Sequence, residues 1–179
     1  MVGKKKFSIP NKNYRKLKNK LTQRKNMKNW DSIFQALPDE EQEKLALLRL
    51  IECSNGVIQH SYRNEDADAL DLEETRAAMK FSMSAMKTQT IPLGDEVITF
   101  APETAEIMRE VRKLYISGFK EQNEEDYEEF MRASVANLNA IGRDRMIRAR
   151  QVLFDELYEI PQHCLDWGLS YIFGLMNWR

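Results

Sequence analysis

Residues 38–56 read PDEEQEKLALLRLIECSNG, and this stretch decides the fold class. Pro38 suits the first turn of a helix, and Asp39, Glu40 and Glu41 set negative charge at the positive end of its macrodipole. Leu45, Leu48 and Ile51 follow at three-residue spacing, the apolar stripe of a helix lying on a core. Ser54-Asn55-Gly56 predicts its end, because Asn and Gly tolerate the left-handed cap.

Upstream, Trp30, Ile33, Phe34 and Leu37 repeat the spacing and begin the hydrophobic body. Downstream, Gly56 to Asp68 fits either a strand or a further helical turn at Val57 and Ile58, and Asn64-Glu65-Asp66 reads as loop. A helix rich in Ala and Met is predicted from Asp71 to about Lys87. The period then changes. Ile91-Pro92-Leu93 and Glu96-Val97-Ile98-Thr99-Phe100 flank Gly94-Asp95, which predicts a β-hairpin with Gly at the first turn position. Pro92 keeps its strand at an edge, and a lone hairpin is marginal in water, so this one must lie on helices or pair with another chain.

Pro102-Glu103 opens a helix to about Ser117, closed by Gly118. The acidic run Glu121 to Glu129 opens another, reaching Ile141 and Gly142. Arg143 to Ile160 reads as a further helix, with Met146, Leu153, Leu157 and Ile160 on one side and Ile147, Phe154 and Tyr158 beside them, and Pro161 ends it. The last helix, Gln162 to about Asn177, is apolar nearly all round and is predicted to be buried. The expected fold is mainly α: a single compact multi-helix domain over residues 30–179 with one β-hairpin (about 89–100), preceded by a basic arm over residues 1–29. Seven Gly and five Pro in 179 residues argue against a many-turned β fold.

The net charge of −1 conceals a sharp segregation. Residues 1–30 hold eleven cations and no acid: Lys4, Lys5, Lys6, Lys12, Arg15, Lys16, Lys18, Lys20, Arg24, Lys25 and Lys28. Residues 31–179 hold the remaining 16 basic residues and all 28 acidic ones, a net of −12. Like charges gathered this way repel one another unless a partner neutralises them. Within the arm Asn11 can cap a short helix to about Arg24, with Tyr14, Leu17 and Leu21 as a thin apolar stripe.

Signatures of catalysis are few. The chain has no Gly-rich phosphate loop, no Gly-x-Ser-x-Gly and no His-Glu-x-x-His. His163 and Cys164 are adjacent and diverge by about 100° on a helix, so they cannot act as base and nucleophile together. His60 with Cys164 is the Cys/His pair that the sequence leaves open, and it reads as an exposed loop histidine and a buried thiol. Asp66, Asp68 and Asp71 resemble a fragment of a calcium loop without its central Gly and terminal Glu, and read as solvated loop. No metal or cofactor is expected. Cys53 and Cys164 are expected to be free thiols in a reducing cytoplasm, and the most apolar stretch, Leu165 to Trp178, is too short to cross a bilayer.

Two further clusters have a plain reading. Met79, Met83, Met86 and Phe81 could form an adaptable partner groove, but the i, i+4, i+7 spacing of the methionines reads first as core. Arg143, Arg145, Arg148 and Arg150 fall on two helix faces, which reads as a solvated helix and not a nucleic-acid ridge.

Three readings compete for the arm. It can grip nucleic acid through phosphates, with Asn11, Asn13, Tyr14, Asn19, Gln23 and Asn26 adding polar contacts. It can clamp an acidic protein surface, such as the Glu121 to Glu129 run of a neighbouring copy. Or it is a solubilising tail or membrane-surface anchor, although it lacks the bulky apolar face of an interfacial helix. The first is favoured: a non-enzymatic binding and assembly protein, its arm on nucleic acid and its acidic body on a protein partner or on copies of itself. The alternative is a regulator or inhibitor that binds a host enzyme through the acidic body. A basic arm on a compact helical body resembles, in general plan only, viral and bacteriophage structural or host-takeover proteins.

Overall fold

The computed structural model of the chain describes residues 28–63 and 72–179. The expected arm helix, ten of the eleven arm cations and the Asp66–Asp71 loop lie outside the described residues.

Among the described residues the chain forms α1 (Trp30–Gln35), α2 (Asp39–Arg63), α3 (Leu72–Thr88), β1 (Ile91–Leu93), β2 (Glu96–Ile98), α4 (Pro102–Tyr115), α5 (Glu124–Glu156) and α6 (Gln162–Met176). A π-helical turn, Ile116–Lys120, extends α4. The fold is mainly α with one antiparallel hairpin, as expected. α2 is the central element and packs against α3, α5 and α6. Its apolar stripe explains why: Leu45, Leu48, Ile51 and Ile58 are fully buried, and they meet Ile141, Met146 and Leu153 of α5 and Leu165 and Ile172 of α6 in one core.

α2 does not stop at Gly56. It runs to Arg63, so Asn55-Gly56 is no cap. Two tertiary contacts override the local signal. Ile58 lies wholly inside, and Asn55 is buried with its Oδ1 accepting from Ser82 Oγ of α3 at 2.7 Å. Those contacts outweigh the ~1 kcal/mol that Gly costs inside a helix.

The hairpin pairs Ile91 with Ile98, Pro92 with Val97 and Leu93 with Glu96. Gly94 has φ +59° while Asp95 is not left-handed, the pattern of a type II′ turn. Ile91 is buried, so the hairpin does lie on the helices.

Gly118 does not close α4 either. The helix widens there into the π turn, and the left-handed residue comes later, at Gln122. A Cβ on Gly118 would stand 2.7 Å from Tyr127 Cα, so the missing side chain is what lets the first turn of α5 approach. Asn123 caps α5, its Oδ1 accepting from the N–H groups of Glu125 and Asp126 at 3.1 Å. At Gly142 α5 kinks, with φ 80° and ψ 164°, which is the helix break expected at that glycine.

α6 departs from the expectation of all-round burial. It buries Cys164, Leu165, Gly168 and Ile172 against the core and leaves Trp167, Tyr171 and Leu175 exposed. One face is all that a helix lying on α2 can hide. The approach is close: a Cβ on Gly168 would come within 2.8 Å of Ser54 Oγ.

The arginines of α5 are inter-helix clamps. Arg145 pairs with Asp39 and Arg148 with Glu43, each at 2.7 Å, tying α5 to the start of α2. Arg150 pairs with Asp166 at 2.7 Å and Arg143 lies 5.5 Å over the Phe173 ring, tying α5 to α6.

Candidate partner-binding cleft

The C-terminal half of α2, the end of α3, α4 with its π turn, and α5 enclose a cleft of about 770 Å³, open along one side. Its floor is apolar. Met108 and Val111 of α4 are buried at its base, and Met83, Met86, Ile116 and Phe130 line it. Met83 is 53% exposed, which corrects the reading of the α3 methionines as core; of the three, Met79 is the one that packs against the core. The reason is the helical period: Ala78, Ser82 and Ala85 take the face against α2, and Met83 is rotated onto the open side.

An aromatic cluster stands at one end. Tyr115 lies 4.9 Å from Phe119 and 5.4 Å from Phe130, and Phe119 packs edge-on to Tyr127 at 5.0 Å. The π turn makes this possible, because its extra residue carries Phe119 round toward α5, and π turns of this kind recur at functional sites. None of these rings was singled out from the sequence. The available signal was the pair Tyr115 and Phe119, four apart, followed by Tyr127 and Phe130, three apart, across Gly118.

Charge surrounds the floor asymmetrically. Among the described residues, Arg49, Lys87, Arg112 and Lys120 line the cleft with a single acid, Glu52. Arg49 holds that acid and also donates from Nε to Asn137 Oδ1 at 2.6 Å. Arg112 Nη1 donates to Met86 O at 3.1 Å, a carbonyl that Gln89 Nε2 also reaches. Lys87, Arg112 and Lys120 form no ion pair among the described residues. In a body of net −12 this is a local reversal of sign.

Of the eleven arm cations only Lys28 is described. It pairs with Glu110 of α4 and lies 5.5 Å over the Trp30 ring, so it joins the arm to the body. The positions of Lys4, Lys5, Lys6, Lys12, Arg15, Lys16, Lys18, Lys20, Arg24 and Lys25 fall outside the described residues.

The thiols are poorly placed for nucleophilic work. Both are free. Cys164 is buried and its thiol is pushed up to about 11 by that burial. Burial, then the charge of Glu52, pushes Cys53 up to about 12. Both shifts disfavour the thiolate that would react. His60 is exposed, and His163 meets Trp167 edge-on at 5.3 Å. Among the described residues no group of three or more His, Cys, Asp or Glu is gathered to hold a metal, and no helix is long and apolar enough to cross a membrane.

No protein-family model, curated protein or solved structure matches the chain.

Proposed function

We propose that this chain is a non-enzymatic binding and assembly protein, in which the basic arm grips nucleic acid and the acidic helical body holds a protein partner or further copies of itself. The observation that carries the reading is the charge segregation: eleven cations and no acid in residues 1–30, against a net of −12 beyond them. Phosphate binding requires little more than such a cluster, and it gains from released counterions. The body supports the division of labour. Arg143, Arg145, Arg148 and Arg150, the cluster that follows the α5 kink, are engaged with the Phe173 ring, Asp39, Glu43 and Asp166. Lys28, paired with Glu110, ties the arm to α4. The free thiols suit a reducing, cytoplasmic setting.

Size-exclusion with light scattering, run with and without a mixed-sequence oligonucleotide, tests the reading. The expected result is a nucleoprotein complex that dissolves as salt is raised. A protein that elutes unchanged at low salt, whatever nucleic acid is added, contradicts it.

A further inference from the structure

We propose that the cleft between α2, α3 and α4 receives a short amphipathic helix of a partner protein, one that carries acidic residues beside its apolar anchors. This rests on the partner half of the reading above and deepens it. The walls decide the form of the guest. They are helices, whose backbone groups are already bonded, so they offer no strand edge to an extended peptide. A guest laid on the apolar floor must therefore satisfy its own backbone, and a helix does so internally.

The floor decides the anchors. Met83, Met86, Met108 and Val111 present flexible and aliphatic surface, and Phe130 and Tyr115 close one end. Methionine re-packs around guests of different shape, which suits side chains arriving at i, i+3, i+4 and i+7. The volume of about 770 Å³ holds several such side chains.

The rim decides the charge. Among the described residues, Lys87, Arg112 and Lys120 stand around the opening with no carboxylate paired to them, and Glu52, the one acid of the described lining, is held by Arg49. An acidic guest supplies what they lack. The chain's own arm is excluded as occupant on the same ground, since it brings eleven cations to a cationic rim.

The test uses the full chain and a labelled peptide of about 16 residues, some four helical turns, with Leu and Phe at helical spacing and Glu on its flanks. Two controls accompany it: the same composition scrambled, and the same pattern with Lys in place of Glu. The arm attracts any acidic peptide, so the comparison of patterned with scrambled peptide, at equal charge, is the discriminating one. The patterned acidic peptide is expected to bind about tenfold or more tightly than either control. Met83→Glu, at an exposed position, is expected to remove that advantage, and Lys87→Glu with Lys120→Glu to transfer it to the Lys peptide.

Equal binding of patterned and scrambled peptides, unaffected by Met83→Glu, overturns the assignment. So does a dimer in light scattering that Met83→Glu dissociates, which gives the cleft to a second copy. Oligonucleotide binding is measured on the same samples. Loss of the peptide advantage with oligonucleotide binding intact overturns the cleft alone, and the converse result overturns the arm reading alone.

Discussion

Glu41 Oε1, in the first turn of α2, accepts a hydrogen bond from the backbone N–H of Ala101 at 2.6 Å, sixty residues further along the chain. Ala101 is the N-cap of α4 and has no side chain able to cap it. The carboxylate that opens one helix therefore serves as the cap of another, and it fixes the wall of the cleft to the centre of the fold. Lys44 completes the arrangement, its Nζ 2.8 Å from Glu41 Oε2.

Glu41→Gln is expected to cost about 1–3 kcal/mol in urea unfolding at neutral pH, the scale of a buried charge-assisted bond. Burial by itself raises the Glu41 carboxyl, but Lys44 and the Ala101 N–H outweigh it and hold the group below its ordinary 4.5. A depressed carboxylate stabilises the fold above its unfolded value and loses that contribution as pH falls through the folded one. The difference between wild type and Glu41→Gln should therefore be full at neutral pH and shrink below about 4.5. Urea midpoints of both proteins at neutral and acid pH check this, and a difference that grows in acid contradicts it.

Gly56→Ala should stabilise the protein by about 0.5–1 kcal/mol. The position is exposed within α2, its φ is not left-handed, and a Cβ there meets nothing within 4 Å. A capping glycine would behave oppositely, because Ala resists the left-handed conformation. A thermal melt separates the two outcomes by sign.

Gly168→Ala should destabilise by about 1–3 kcal/mol, the usual cost of overpacking. The new methyl would meet Ser54 Oγ at 2.8 Å and Ser54 N at 3.0 Å, and the latter is backbone that cannot swing aside. Chemical denaturation reads the effect. A neutral result would mean that α2 and α6 slide apart freely.

Two residues on α6 should differ sharply. Ile172→Ala, at a wholly buried position, is expected to cost about 2–5 kcal/mol, the range for removing a core aliphatic side chain. Tyr171→Ala, next in sequence and 60% exposed, should stay within about 0.5 kcal/mol. Phe173 lies between these cases, partly buried with Trp178 edge-on at 5.7 Å. Paired urea titrations of the first two variants test whether α6 hides one face or all of them.

The helices and the hairpin were legible because local signals and tertiary packing agree there. Leu45, Leu48 and Ile51 define α2 by period alone, Gly94 marks the turn, and Gly142 marks the kink in α5. Gly56 misled because a local cap signal was overridden by the burial of Ile58 and the Asn55–Ser82 bond, neither visible in the residues around it. The exposure of Trp167 and Tyr171 was hidden by composition: a helix apolar all round does not reveal which side has a neighbour. The cleft was the least legible feature. Arg49, Met83, Arg112 and Phe130 come from four helices, and no spacing rule joins them.

The most direct test of the central claim is a salt titration of the full chain against labelled duplex DNA, followed by fluorescence anisotropy. If about five arm cations contact phosphates, log K should fall against log salt with a slope near −4 to −5, from about 0.9 per phosphate. Random and defined sequences should compete about equally, since nothing in the Lys-rich arm favours bidentate reading of bases. Reversing the charge of Arg15, Lys16, Lys18 and Lys20 should abolish binding and leave the thermal melt unchanged. No detectable binding at low salt to duplex DNA, single strands or RNA would contradict the account and turn the arm toward an acidic protein surface.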